Sequence, residues 1–463
     1  MTRAAAPTGT GGRFRLPREL RGTTFGLVLV ITLIAFEAMA VATALPTAVR
    51  ALHGLAAYGW SFTAFLVAAV VGMVTSGEVS DRRGARRPLL LGLGLFAAGL
   101  VLAGAAPAMV VFVLGRAVQG FGSGLVIVAV YVVIGDVYAD EFRPRVFAFL
   151  SAAWVLPALV GPLLAGLVAQ HLSWRLVFLG LPPFVVAGIV LLLPTLTSGR
   201  GPGGADAPGG AGLARSPARW PFALATAAGI ALVQSAGQRP AWPTMLGAVA
   251  GAALLVIGLR RLLPRGTMAV RRGVPAAVAF RAILAGSLFA VESLLPLTLT
   301  VVHGFSPAQA GAPLTLAALG WSAASWWQGR HPDLPRHRLL CAGFALISAA
   351  ALGTAVVSVP ATPGWLAYPV WCVAGLGAGL TWPSISVLLL ALTPPSERGV
   401  NSAALQIADA VASAVCIGFG GVLVAAAERG AFTLTVAAVT LDVLMAGLAA
   451  AGALLAPRGR APA

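Results

Sequence analysis

Lysine is absent from all 463 residues, and only 14 acidic residues stand against 31 arginines. Charged residues make up 10% of the chain and apolar residues 59%. A soluble domain carries about a quarter charged residues, so this balance excludes one. The three cysteines, Cys341, Cys372 and Cys416, are isolated inside uncharged stretches and supply neither a disulfide framework nor a thiol pair. The five histidines, His53, His171, His303, His331 and His337, lie in loops or at the ends of such stretches. No H-E-x-x-H occurs, and no metal or nucleophile constellation emerges, which argues against a membrane-embedded enzyme.

What the chain has in quantity is uncharged runs of about 20 residues, each long enough to cross about 30 Å of hydrocarbon as a helix. A helix satisfies its own backbone hydrogen bonds where lipid cannot, so a series of such runs predicts an all-α polytopic membrane protein. The runs fall at roughly 24–46, 58–79, 88–107, 109–136, 145–170, 174–196, 220–237, 242–259, 275–301, 307–328, 339–358, 364–391, 400–425 and 431–456, fourteen spans in all. The two over 220–259 are short and rich in Ala and Gly, and a re-entrant or interfacial hairpin is the alternative for them. The net charge of +17 need not mean nucleic acid, because in a membrane chain charge is read by side. With the N-terminus in the cytoplasm, 25 arginines fall inside. Only Arg50, Arg175, Arg239 and Arg429 fall outside, and Arg116 and Arg281 lie within spans. The expected setting is a bacterial plasma membrane with both termini cytoplasmic, the first 22 residues forming a retained tail.

An internal repeat organises the spans. GFGSG (Gly120, Gly122, Gly124) in span four returns as GLGAG (Gly375, Gly377, Gly379) in span twelve, at an offset of 255. The same offset relates Arg143 to Arg398 and Glu37 to Glu292. The chain therefore divides into a tail (1–22), a six-helix half (23–197), a flexible Gly/Pro/Ala linker (198–219), a two-helix insert (220–264) and a second six-helix half (275–457). Duplicated halves joined by a loose loop suit two bodies rocking about a central site.

One short loop is crowded with charge. GEVSDRRGARR, Gly77 to Arg87, lies between two uncharged runs and resembles the loop signature G-x-x-x-D-R-x-G-[RK]-[RK] of the major facilitator superfamily, through Gly77, Asp81, Arg82, Gly84, Arg86 and Arg87. Ala85 stands where a basic residue is common. LGRAVQGFGSG resembles the fourth-span signature R-x-x-Q-G through Arg116, Gln119 and Gly120. PALVGPLLAG resembles the antiporter signature G-x-x-x-G-P-x-x-G-G through Gly161, Pro162 and Gly166, with Pro157 and Ala165 replacing two glycines. The second-half loop GRHPDLPRHR keeps only Gly329, Asp333 and some arginines.

The resemblance covers nearly the whole chain and is nearest to the fourteen-span drug:proton antiporter branch. It implies a major facilitator fold, alternating access, and proton-coupled export of hydrophobic small molecules by a monomer with no cofactor beyond the proton gradient. An importer or uniporter of the same fold is the alternative, since fold does not fix function. A sugar importer would show more Asn, Gln and Tyr in its spans, and Tyr numbers four.

The loop charges suggest a cytoplasmic gate. Gly77 is expected to let two helices approach, Asp81 to face the positive N-terminus of span thirteen near Asn401, and Arg82 to reach Asp136. Charges inside spans are costly in lipid and usually face a cavity. Glu37, Glu292 and Asp409 are the candidate proton carriers, Glu37 foremost because it is the acid near the centre of span one; Glu292, in the outer half of span nine, is equally a candidate to bind substrate or gate the outer side. Arg116 is a permanent cation for a carboxylate within reach, with Gln119 beside it. Asp442 is expected to pack near the edge of the bundle and Arg281 to snorkel to the cytoplasmic face. Pro157, Gly161, Pro162 and Gly166 mark a bend in span five, and Phe36, Trp154, Trp321 and Trp382 are candidates for an adaptable apolar pocket.

Overall fold

A computed structural model describes residues 18–139, 141–197, 219–238, 241–331, 333–394 and 397–459; residues 1–17 of the expected tail and 198–218 of the expected linker lie outside them. Among the described residues all regular structure is helical. The first group comprises α1 (Arg18–Ala51), α2 (Tyr58–Arg83), α3 (Arg86–Gly104), α4 (Met109–Val137), α5 (Arg143–His171), α6 (Trp174–Leu179) and α7 (Pro182–Thr197). Then come α8 (Trp220–Gln238) and α9 (Trp242–Leu262). The second group comprises α10 (Val274–Val302), α11 (Pro307–Gly329), α12 (Arg336–Val357), α13 (Ala367–Leu392), α14 (Arg398–Glu428) and α15 (Leu434–Leu455).

The sixth span is not one helix. Pro182 and Pro183 follow Gly180, and a proline ring lacks the N–H that would continue the ladder, so α6 stops and α7 starts afresh on Pro182. Thirteen segments among the described residues, with α6 and α7 taken together, are long and apolar enough to cross a membrane. Helix α11 has the length at 23 residues, but its Gln, Ser and Gly dilute its apolarity; it packs between α5 and α13. Helices α8 and α9 have 19 and 21 residues, about 28 and 31 Å at 1.5 Å per residue, so each is long enough to cross the bilayer. Helix α8 lies against α2 and α14, and α9 covers α8 from outside.

Packing follows the sequence repeat. A methyl group placed on Gly120 or Gly124 of α4 would strike the Phe65 and Ala69 carbonyls of α2, and one on Gly122 would strike α3 at Gly92 and Phe96. At the positions 255 residues on, Gly375 and Gly379 of α13 lie against the Ala317 and Trp321 carbonyls of α11, and Gly377 against Gly343 of α12. Small residues allow backbones to meet where lipid provides no hydrophobic drive between helices. The two six-helix halves are thus built by the same contact, used twice.

The halves themselves meet toward the Arg-poor side. There α2 and α14 touch backbone to backbone at Gly59 and Gly421, α5 and α11 touch at Gly166, Pro307 and Ala308, and the Tyr58 hydroxyl donates to the Ser293 carbonyl of α10. The insert adds ties on the same side, with Trp60 Nε1 donating to Gln238 Oε1 at 2.8 Å and Arg429 donating to the Gln238 carbonyl.

Candidate functional site

Two charge constellations lie inside the bundle, one in each half. In the first, Arg116 of α4 donates through Nη1 to Glu37 Oε1 of α1 and to Gln119 Oε1 at 2.8 Å. Its Nε donates to the Ser61 carbonyl of α2 at 2.9 Å, and its guanidinium lies 4.5 Å from the centre of the Phe65 ring. Gln119 is one helical turn beyond Arg116, which places both on one face of α4. Both charged side chains are only 2% exposed. The arrangement fastens α1, α2 and α4 together and seals the carboxylate from solvent; among the described residues Glu37 Oε2 and Gln119 Nε2 are left without hydrogen-bond partners.

The second constellation runs along α10. Arg281 and Glu292 are eleven residues apart, which at 100° per residue puts them on one face about 16 Å apart along the axis, with Phe289 between them. Arg281 does not snorkel: its side chain is 6% exposed, it stacks over the Trp382 ring 3.4 Å from the centroid, and its Nε lies 3.6 Å from Asp409 Oδ2 of α14. The expectation failed because Asp409 and Trp382, distant in sequence, hold the guanidinium inward. Trp382 in turn meets Trp321 at 5.1 Å and Phe289 at 6.1 Å between ring centres. Trp321 and Trp382 are therefore brought together with Asp409. Phe36 instead lies beside Gly161, between α1 and α5, and Trp154 is 38% exposed on α5. Glu292 is half-buried and has no hydrogen-bond or ion-pair partner among the described residues. Asp442, by contrast, is buried and accepts from the Ser358 hydroxyl at 3.2 Å, a packed carboxyl at the α12–α15 contact.

The loop charges stand apart from both. Asp81 and Arg82 are exposed, Arg82 and Asp136 form no ion pair among the described residues, and Asp136 sits within electrostatic reach of Arg143. Arg143 donates to the Gly135 and Tyr138 carbonyls at 2.6 and 2.9 Å. Among the described residues Asp81 forms no hydrogen bond with Asn401, whose amide lies 3.5 Å from the Thr393 hydroxyl. Gly77 does not serve close approach, since a methyl there would meet nothing within 4 Å. Gly84 is needed for another reason: it ends α2 at φ 75°, in the left-handed region where a side chain clashes with its own backbone. Arg86 and Arg87 are exposed at the start of α3.

The charge in this stretch with a defined partner is Glu78, which the sequence left unassigned. It accepts from the Arg219 and Trp220 backbone N–H groups at 2.6 and 3.1 Å and so caps α8. Only the tight run of acid and base in the loop signalled it. On α5 the helix continues through Pro157 and Pro162, with Gly161 in ordinary contact with Met39 and Phe36 and Gly166 against α11.

Duplicated six-helix halves, closed together on one side and carrying charge inside, agree with what the sequence resembles. The sequence model of the Major Facilitator Superfamily matches residues 27–417. The chain belongs to that superfamily. Superfamily membership makes it a multi-pass membrane transporter. Over 452 residues it is 29% identical to a probable multidrug-efflux transporter of Mycobacterium tuberculosis, with 93% of each chain covered. Over 153 residues it is 33% identical to multidrug resistance protein 3 of Bacillus subtilis, covering 33% of this chain and 30% of that one. A bacterial homologue of the human lysosomal transporter Spinster, solved in an inward-facing, unoccupied conformation, shares the fold with a TM-score of 0.68 at 16% identity, covering 97% of this chain and 100% of that one. A POT family transporter in complex with 5-aminolevulinic acid does so at 0.67 and 16%, with 96% of each chain covered.

Proposed function

We propose that this transporter exports hydrophobic small molecules against a gradient by exchanging them for protons, through alternating access in a cell membrane. The observation that carries the reading is the α10 face. It sets an unpartnered carboxyl, Glu292, in the membrane interior on the same strip as the aromatic cluster around Trp382. A carboxyl there without a counter-charge is costly when ionised and holds a proton until water or a cation reaches it. Exchange of access between the two sides gives it that opportunity once in each cycle. The contacts at Gly59–Gly421 and Gly166–Ala308 close the Arg-poor side, which suits a state that loads from the Arg-rich, cytoplasmic side.

This reading moves the proton away from Glu37. Its carboxylate is locked to Arg116 and closed to solvent, which suits a brace across α1, α2 and α4. Asp409, 15% exposed and loosely paired with Arg281, is the second group able to exchange with the cavity. Asp81 and Arg82 act as the gate when the cytoplasmic side closes, the half of the cycle not seen here. The named efflux function of the mycobacterial and Bacillus relatives supports export over import. The test is gradient-driven transport in proteoliposomes with Glu37→Gln, Glu292→Gln and Asp409→Asn. Glu292→Gln is expected to abolish uphill transport while leaving substrate exchange. Loss of uphill transport with exchange retained in Glu37→Gln, and not in Glu292→Gln, would return the proton to Glu37.

A further inference from the structure

A buried guanidinium normally spends its N–H groups on acceptors. Arg116 does so, on Glu37, Gln119 and the Ser61 carbonyl. Arg281 does not. Its Nε and Nη1 are buried without an acceptor among the described residues, and Asp409 stands at 3.6 Å from Nε, close enough for an ion pair and too far for a hydrogen bond. The face of the guanidinium is already covered by Trp382, and Trp382 is flanked by Trp321 and Phe289. From the other half, Tyr131 of α4 comes within electrostatic reach of Arg281; it is 47% exposed and stacked on Phe147 at 5.6 Å. Arg281 therefore stands buried beside an aromatic cluster with donors to spare.

Leaving two buried donors unfilled is unfavourable, and packing could have removed it with one serine or carbonyl. What fits both the donors and the rings is a flat molecule with an oxygen at its edge. We infer that the Arg281–Trp382–Trp321–Phe289 cluster is a subsite for planar aromatic substrates that carry a carbonyl or carboxylate oxygen. The ring lies against Trp321 and Phe289, and the oxygen accepts from Arg281. Asp409 keeps the guanidinium aimed and offsets its charge. An aromatic cation without an oxygen leaves both donors empty and meets a like charge, so it is selected against. This inference rests on the export reading for its use of the word substrate, and on the cluster alone for its chemistry.

Three tritiated probes with one ring system test it: 2-acetylnaphthalene, 2-naphthoate and 2-naphthylmethylammonium, bound to purified full-length protein and read by scintillation proximity without any gradient. The wild-type protein is expected to bind at least one oxygen-bearing probe about tenfold more tightly than the ammonium, the worth of one hydrogen bond to a charged donor. Arg281→Gln should erase that preference, weakening the oxygen probes and relieving the ammonium of its like charge, and Trp382→Leu should weaken all three. Asp409→Asn breaks the ion pair but keeps the guanidinium, and should keep the preference. Equal wild-type affinities would overturn the proposal, and the wild-type comparison decides even where a variant does not fold. Loss of the preference in Asp409→Asn to the same degree as in Arg281→Gln would overturn it too, by showing that only the ion pair matters. Because no transport is measured, a protein that passes this test yet moves nothing refutes the export reading and leaves the subsite standing.

Discussion

The Glu37–Arg116 pair gives a prediction whose sign depends on which partner is removed. Replacing Glu37 with Gln leaves a guanidinium that is buried and cannot lose its proton. Breaking a buried pair in this way costs about 3–5 kcal/mol, because the surviving charge is uncompensated. Replacing Arg116 with Met leaves a carboxyl that can shed its charge by binding a proton, so the loss reduces to the hydrogen bonds and is about 1–3 kcal/mol. The double variant has no charge to bury and should be more stable than Glu37→Gln alone, since an apolar replacement of a buried pair is often close to neutral. The assay is denaturant unfolding in mixed micelles, followed by tryptophan fluorescence and compared at constant slope. A Glu37→Gln variant milder than Arg116→Met, or a double variant worse than either, would refute the reasoning that the pair is a sealed brace.

Glycine substitutions separate contact from habit. Gly77→Ala should be neutral or stabilise α2 by up to about 1 kcal/mol, since nothing lies near it and a helical glycine is entropically costly; a loss of thermal stability would contradict this. Gly59→Leu should force α2 from Gly421 and lengthen the distance between the Arg-poor ends of α2 and α14, checked by spin-label distances between the two ends, where an unchanged distribution counts against the closure described. Glu78→Ala should free the first turn of α8, at a cost of about 0.5–2 kcal/mol typical of a lost cap, and speed amide exchange at Trp220, Phe222 and Ala223; unchanged exchange would mean that the cap is idle. Asp81→Asn and Arg82→Ala, both exposed, should leave folding unchanged and reduce transport, and full transport at equal expression would leave these charges with topology alone.

The membrane spans were legible because an uncharged run of 20 residues has only one use in a chain of this composition, and the glycine repeat was legible because the same close contact was needed twice. What the sequence could not show is which face of a helix finds a neighbour. Gly77 and Gly120 are both helical glycines, yet only Gly120 lies against a carbonyl, that of Phe65. Arg281 is seven residues into its helix, a depth from which an arginine can reach either way, and its direction is decided by Trp382 and Asp409 on two other helices. Glu37 was recognisable as a buried charge and Arg116 as a cation, but whether they close on each other or on a cavity is a property of tertiary packing. The cap of α8 by Glu78 depends on where a linker delivers the chain, and no local pattern encodes that.

In the proposed cycle the proton that drives export rides on Glu292. The most direct test is uptake into proteoliposomes of a labelled compound to which expression confers resistance, with the Arg-rich side facing the bath and the lumen made acid. Wild-type protein should accumulate the compound and release it when the gradient is collapsed, whereas Glu292→Gln should exchange labelled for unlabelled compound but not accumulate it. Accumulation that ignores the gradient, or that persists in Glu292→Gln, would contradict the account.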